Sequence, residues 1–427
     1  MALPQLKIEM TKDRLIGMTM PACGAWATTA REDALNRLIA MGLPHKRDEY
    51  WRYTDPALLI ATDVPPSEAL RTETPIFMDT DKVRLVFVDG VFDADASDDL
   101  TLSGVEITRL MDAQAVDVHW AQGLYGRLET DGQTPVDRPL AVMNTAFASD
   151  GVCVHVTGTP DKPLHISYLQ SSEASDVALH HVIKLDSGTE LTLLETGTPG
   201  ARSNVVLEVD VADGATLHHV RPQGRAHGRS VATHLFARIG AHATLKSFTL
   251  TMNGKMTRNE FVADIIGDDA AVHVGGVCIG DGKGVHQDDT VFITHDALNG
   301  ESRQVFKKVL RNGATGVFQG KILVKAGAQK TDGYQISQSL LLDGDSQFLA
   351  KPELEIYADD VACSHGSTSG AIDETALFYM QSRGISHKEA TNLLTLAFLA
   401  AALDEIADDA LADELRDRLD GWLARHG

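Results

Sequence analysis

Cysteine is scarce in this chain of 427 residues. Cys23, Cys153, Cys278 and Cys363 are scattered, with no CxxC or other paired spacing. That argues against a disulfide framework and for reduced thiols. Positive charge is short as well. Lys and Arg total 38 against 60 Asp and Glu, a net charge of −22, and no Lys/Arg-rich run interrupts the excess. Such a surface opposes nucleic acid and anionic lipid, whose phosphates need local positive charge. No stretch reaches 18 apolar residues, so no membrane span is expected. The opening Met-Ala-Leu-Pro-Gln-Leu-Lys-Ile-Glu-Met lacks the continuous apolar segment of a secretory signal. The expected location is the cytoplasm. GxxxxGK[ST] is absent, so this chain should not hydrolyse ATP. Gly280-Asp-Gly-Lys-Gly284 has neither the spacing nor the context of a phosphate cradle and reads as a turn.

Apolar residues make up 43% of the chain, enough for a sizeable interior, and the length suggests two or three structural parts. Residues 1–82 read as an N-terminal helical region. Thr29-Ala-Arg-Glu32 fits a capping box, Leu35, Leu38 and Ile39 follow at helical spacing, and Gly42 ends the helix. The charged and aromatic run from Gly42 to Asp55 reads as a packed surface turn rather than a base-stacking patch, because acidic residues interleave. Residues 83–139 are mixed α/β: a strand at Val83, Leu85 and Phe87, a turn at Asp89-Gly90, and a helix about Ala113–Leu128.

Residues 140–370 read as nearly all strand, with a repeat. Glycine turns recur at Gly188, Gly214, Gly240 and Gly267, at spacings of 26, 26 and 27 residues. Short alternating strands lie between them. A strand-rich repeat of that length predicts stacked coils that bury a continuous core, in preference to a β-sandwich. The helical segments before and after are the expected covers for the ends. The fold class is therefore mainly β, a parallel β-helix core between two helical regions.

Residues 371–427 form a C-terminal helical domain. Asp373 is a helix N-cap, Gly384 a stop, and Ser386-His-Lys-Glu389 a second capping box. Leu393 to Leu403 is apolar on nearly every face and needs cover on more than one side, from neighbouring helices or from another protein. The last helix, carrying Leu411, Leu415, Leu419 and Trp422, can supply part of that cover.

Chemistry concentrates at Cys363-Ser364-His365-Gly366. A strand beginning at Glu353 turns polar there and sets a thiol and an imidazole two residues apart, a pair a transition metal could use. A nucleophile–base role would require the turn to curl back. His180-His181 and His218-His219 sit on strands, where neighbours face opposite ways, so neither pair chelates alone. Cys153 and Cys278 read as buried hydrophobes and Cys23 as a loop residue.

The block from Gly327-Ala-Gln-Lys-Thr-Asp-Gly-Tyr-Gln335 through Leu340-Leu-Leu, Lys351 to Gly366 and Leu377-Phe-Tyr-Met-Gln-Ser-Arg-Gly-Ile385 resembles the SufB/SufD family of the SUF iron–sulfur cluster assembly system. Gly42-Leu-Pro, Trp51-Arg-Tyr-Thr54 and Leu140 to Gly151 are similar to it too. SufB-like chains carry a glutamate where this one has Gly366 and are longer, which places the likeness on the SufD side. The resemblance implies a right-handed parallel β-helix and a non-catalytic scaffold role. It implies a hetero-oligomer with a SufB-like subunit, paired through the β-helix cores, and with a SufC-type ABC ATPase docked on the C-terminal helices. Leu377, Phe378, Tyr379, Arg383, Ile385, Leu393, Leu394 and Phe398 would form the docking surface. His365 matches the family histidine implicated in cluster assembly at the subunit interface. His365 with Cys363 would then meet iron or a transient iron–sulfur cluster. A reduced flavin is associated with the assembled family complex, but the sequence carries no flavin motif. Two rivals are a β-helix enzyme acting on polysaccharide, with carboxylates in a groove, and a homodimeric scaffold without a separate SufB.

Overall fold

The computed structural model describes residues 4–68, 75–224 and 226–426. The chain winds as a β-solenoid of about seven turns, with helices before and after it. Each turn contributes one strand to each of two facing sheets, and strands pair in parallel with the strand one turn away. In-register steps are 29 residues from Cys153 to Val182, fall to 26 from Asp176 to Arg202, and reach 32 from Thr315 to Gln347. The period of 26 to 27 residues seen in the sequence thus holds for some of the coils only, such as Asp176 to Arg202 and Thr244 to Ala271.

The repeating glycines serve two purposes. Gly188 and Gly214 take left-handed backbone, with φ of 72° and 69°, which glycine adopts without steric cost. At the next two turns His242 and Asp269 take that conformation instead. Gly240 and Gly267 are there for close stacking: a Cβ on Gly267 would lie 1.9 Å from the Ala241 amide nitrogen.

Alternation decides what lies inside. On the first sheet one inward column runs Leu191, Leu217, Leu245, Val272, Ser302, Gly333, Cys363. The early coils are filled largely by Val, Leu and Ile around a buried polar group of Tyr168, His181, Glu195 and His219, while the late ones become more polar. The outward face of this sheet, including Phe248, Val277, Val305 and Val309, is covered by the last two helices, His387–Leu403 and Asp409–His426. The apolar Leu393–Leu403 segment therefore lies between the solenoid and Leu411, Leu415, Leu419 and Trp422. Cover within the chain accounts for most of its apolar surface. The outward face of the second sheet is covered by the N-terminal region, through Trp26, Tyr50 and Tyr125 on Val182, Val206, Phe236 and Phe292.

Four expectations need correction. The first long helix spans Ala25–Met41, so Thr29 lies inside it and its hydroxyl bonds back to the Ala25 carbonyl. The buried Trp26 and Ala27 pin the extra turn. The single helix expected about Ala113–Leu128 is three pieces, Leu110–Ala115, Trp120–Gly123 and Arg127–Asp131. His119 caps the second piece through Nδ1, and Gly126, at φ 71°, breaks the path to the third. Pro139–Phe147 is a helix, buried over eight of its nine residues, and a short apolar run does not distinguish that from a strand. Finally, the flanking helices lie along the sheet faces and leave the last rung bare. Neither Gln347–Ile356 nor Ala362–Gly370 contains a buried residue.

Candidate functional site

The residues Cys363 to Gly366 are strand rather than turn, because the whole segment Ala362–Gly370 pairs in register with Asp332–Leu341. Its partner buries Gly333, Gln335, Ser337 and Ser339 inside the solenoid, while Tyr334 and Ile336 pack outward toward the C-terminal helices. Register places Cys363 over Gly333, His365 over Gln335, Ser367 over Ser337 and Ser369 over Ser339. Alternate residues of a strand share a face, so the thiol and the imidazole lie on one side without any curl of the chain. The two lower serines are tied to this rung by hydroxyl bonds, Ser337 to Ser367 at 3.0 Å and Ser339 to Ser369 at 2.9 Å.

Cys363 is half-buried and packs with Ile322, Leu354 and Ala358. A side chain on Gly333 would come within 3.1 Å of its sulfur, so glycine there makes room for the thiol. Burial pushes this thiol above its ordinary range and the Asp332 charge adds to the effect, against a hydrogen bond with the Gly333 backbone. It rests protonated at neutral pH. His365 is exposed, and among the described residues no hydrogen bond or ion pair engages its ring. Its column runs inward through Gln335 and Gln304, joined at 3.3 Å, so polar side chains line the approach from the core.

These two donors fit soft-metal chemistry in kind but not in number. No group of three or more His, Cys, Asp or Glu among the described residues is arranged to hold a metal ion, whereas an iron–sulfur centre takes about four ligands per cluster. Further ligands would have to reach this open rung from outside.

Most other histidines have structural partners. His181 Nε2 meets the Tyr168 hydroxyl at 2.9 Å inside the solenoid, while its neighbour His180 faces out to Glu208 at 2.8 Å. His219 points inward to Glu195 at 2.7 Å, and His218 looks out toward Glu190 at 3.7 Å. The two pairs split across the sheet as alternation requires. Cys153 and Cys278 are buried, and desolvation raises both thiols.

The residues assigned to docking fall into two groups. Helix Glu374–Gln381 has no buried residue; Phe378 is 72% exposed and Tyr379 59%. Arg383 stacks 3.6 Å above the Tyr379 ring, and Leu377 and Ile385 are half-buried. Leu393 is 43% exposed and Leu394 half-buried, whereas Phe398 packs toward the solenoid under Lys307 at 4.6 Å. Sequence reading missed Gly333, Gln335, Ser367 and Ser369, which shape the rung around the candidate donors. The 30-residue step from Gly333 to Cys363 is the signal that could have found them.

The family model for the SUF system FeS cluster assembly SufBD core domain matches residues 168–398, and that for the SufBD protein N-terminal region matches residues 22–165. The chain is 28% identical to the iron–sulfur cluster assembly protein SufD of Escherichia coli K12 over 408 residues, 90% of each chain. It is 27% identical to a SufBD family protein of Synechocystis, over 90% of this chain and 89% of the other. It is 25% identical to SufD of Bacillus subtilis over 67% of each. With the matched core spanning more than half its length, the chain belongs to the SufBD family of the SUF iron–sulfur cluster assembly system, on its SufD side.

Proposed function

We propose that this chain is a non-catalytic scaffold subunit, acting in the cytoplasm, that pairs with a SufB-like subunit through its bare last rung. The observation that carries this reading is the rung itself. Both sheets end there in strands with a free edge, Gln347–Ile356 and Ala362–Gly370. An open edge of that length is a template for another chain. The same rung presents Cys363 and His365 as an incomplete donor set, which a partner's ligands would complete. Iron or a nascent cluster is the cargo at that junction. The imidazole is exposed there, and the thiol must lose its proton before it can bind.

The exposed helix Glu374–Gln381, with Phe378 and Tyr379, is the docking surface for a SufC-type ATPase. Movement of that ATPase would reach the solenoid through the packed helices His387–Leu403 and Asp409–His426. Arg303 on the solenoid already meets Glu405 beside them at 2.7 Å.

The test is co-expression of the tagged full chain with the SufB-like and SufC-type proteins of the same organism. Recovery of the three together, with iron content lost in His365→Ala while assembly persists, is the expected result. A chain recovered alone would end this reading. A complex that loads iron normally with both His365→Ala and Cys363→Ala would remove the site assignment.

A further inference from the structure

The segment Glu49–Thr54, which opens with the short 3-10 helix Glu49–Trp51, does more than cap a surface. It crosses the outer face of the second sheet and touches four consecutive rungs. On the first, Arg258 donates to the Tyr50 carbonyl at 3.0 Å and lies 4.1 Å over the Trp51 ring. On the second, Asp288 accepts from the Thr54 hydroxyl at 2.5 Å, His286 meets the same hydroxyl at 2.9 Å, and Phe292 packs edge-on to Tyr50 at 5.0 Å. On the third, Gln319 donates to the Tyr50 carbonyl at 3.1 Å. On the fourth, the Tyr50 hydroxyl donates to Glu353 at 2.5 Å. Lys351 sits 4.0 Å over the Tyr50 ring and 2.7 Å from Glu49.

The two ends of this span differ in firmness. Arg258 is 1% exposed and ion-paired to Glu260 and Asp288. Glu353 and Lys351 belong to Gln347–Ile356, which buries no residue and pairs on one side only. A strand so placed sits at the low-stability end of a solenoid. The segment therefore links a fixed interior to an edge strand held by a ladder on one side only, across 303 residues of sequence.

We infer that Glu49 and Tyr50 form a tie that holds the free edge strand in place, and so set the edge that this chain offers to a pairing subunit. The identity of that subunit rests on the function proposed above; the tie itself does not. Tyr50 and Glu49 act as positioning residues, through Glu353 and Lys351.

Hydrogen exchange on the isolated full chain tests the tie. Tyr50→Phe keeps the ring against Phe292 and under Lys351 and removes only the donor. Exchange in peptides covering 347–356 should accelerate at least fivefold, with strands 256–265 and 286–295 unchanged. Glu353→Gln, which keeps an acceptor oxygen, should stay within twofold of wild type. No local change, or equal loosening of all four rungs, overturns the tie. Titration with the SufB-like subunit tests the consequence: Tyr50→Phe should bind at least fivefold more weakly. Equal affinity despite a loosened strand overturns the role in pairing. If wild type itself fails to bind, the pairing reading falls, and the exchange data still decide the tie.

Discussion

Cys363 and His365 stand two residues apart on the terminal strand and share its inward face, one rung beyond Gly333 and Gln335. That relationship separates their roles by environment. One donor is half-buried and protonated, and the other is open to a partner.

The thiol should report its burial. Because its proton is held above the ordinary thiol range, alkylation of Cys363 by iodoacetamide should be slow at pH 7 and should rise only at more alkaline pH than a free cysteine. The control is the same chain unfolded in urea. Equal pH profiles for the folded and unfolded chain would contradict the burial argument.

Acid should destabilise the solenoid through its interior histidines. Desolvation pushes His181 and His295 down to about 4, against about 6.5 in an unfolded chain. Below pH 6.5 the unfolded chain therefore binds protons that the fold refuses, so stability falls as pH drops from about 6.5 toward 4. His181 Nδ1 accepts from the Val152 amide at 3.2 Å, a contact that protonation breaks. Each group contributes at most roughly 3 kcal/mol to this slope. Urea unfolding at pH 7 and pH 5 should show the loss, and His181→Gln should reduce it.

The C-terminal helices should separate packing from docking. Leu403 is fully buried between solenoid and helix, so Leu403→Ala should cost about 2–5 kcal/mol. Phe378→Ser and Tyr379→Ser, on a helix with no buried residue, should stay within about 0.5 kcal/mol of wild type. They should also lose the ATPase in co-purification. Urea midpoints and the pull-down read the two effects independently.

Two glycines of the repeat should respond differently to alanine. Gly188 has open space around it and a φ of 72°, so Gly188→Ala costs only the left-handed strain, about 1–2 kcal/mol. Gly267→Ala drives a methyl into the backbone of the turn beneath it and should cost about 3 kcal/mol. Equal urea midpoints for the two variants would refute the distinction.

Periodicity made the solenoid legible, because each coil must return the same apolar face to the same interior, and glycine turns mark that return. Helix caps were legible for the same local reason: Asp373 and Ser386 bond to amides within three residues of themselves. The Thr29 start and the helix at Pro139–Phe147 were misread because burial by distant strands outweighed local preference.

Sequence by itself determined the stacking repeat, the capped terminal helices and the family motif that carries Cys363 and His365. Only tertiary structure decided that those two residues lie on a strand, that the flanking helices cover the faces and leave the last rung bare, and that Tyr50 reaches Glu353. Local chemistry acts over a few residues and can be read along the chain. Which rung is last, and what lies over it, depends on contacts about 30 to 300 residues apart, which follow from packing as a whole.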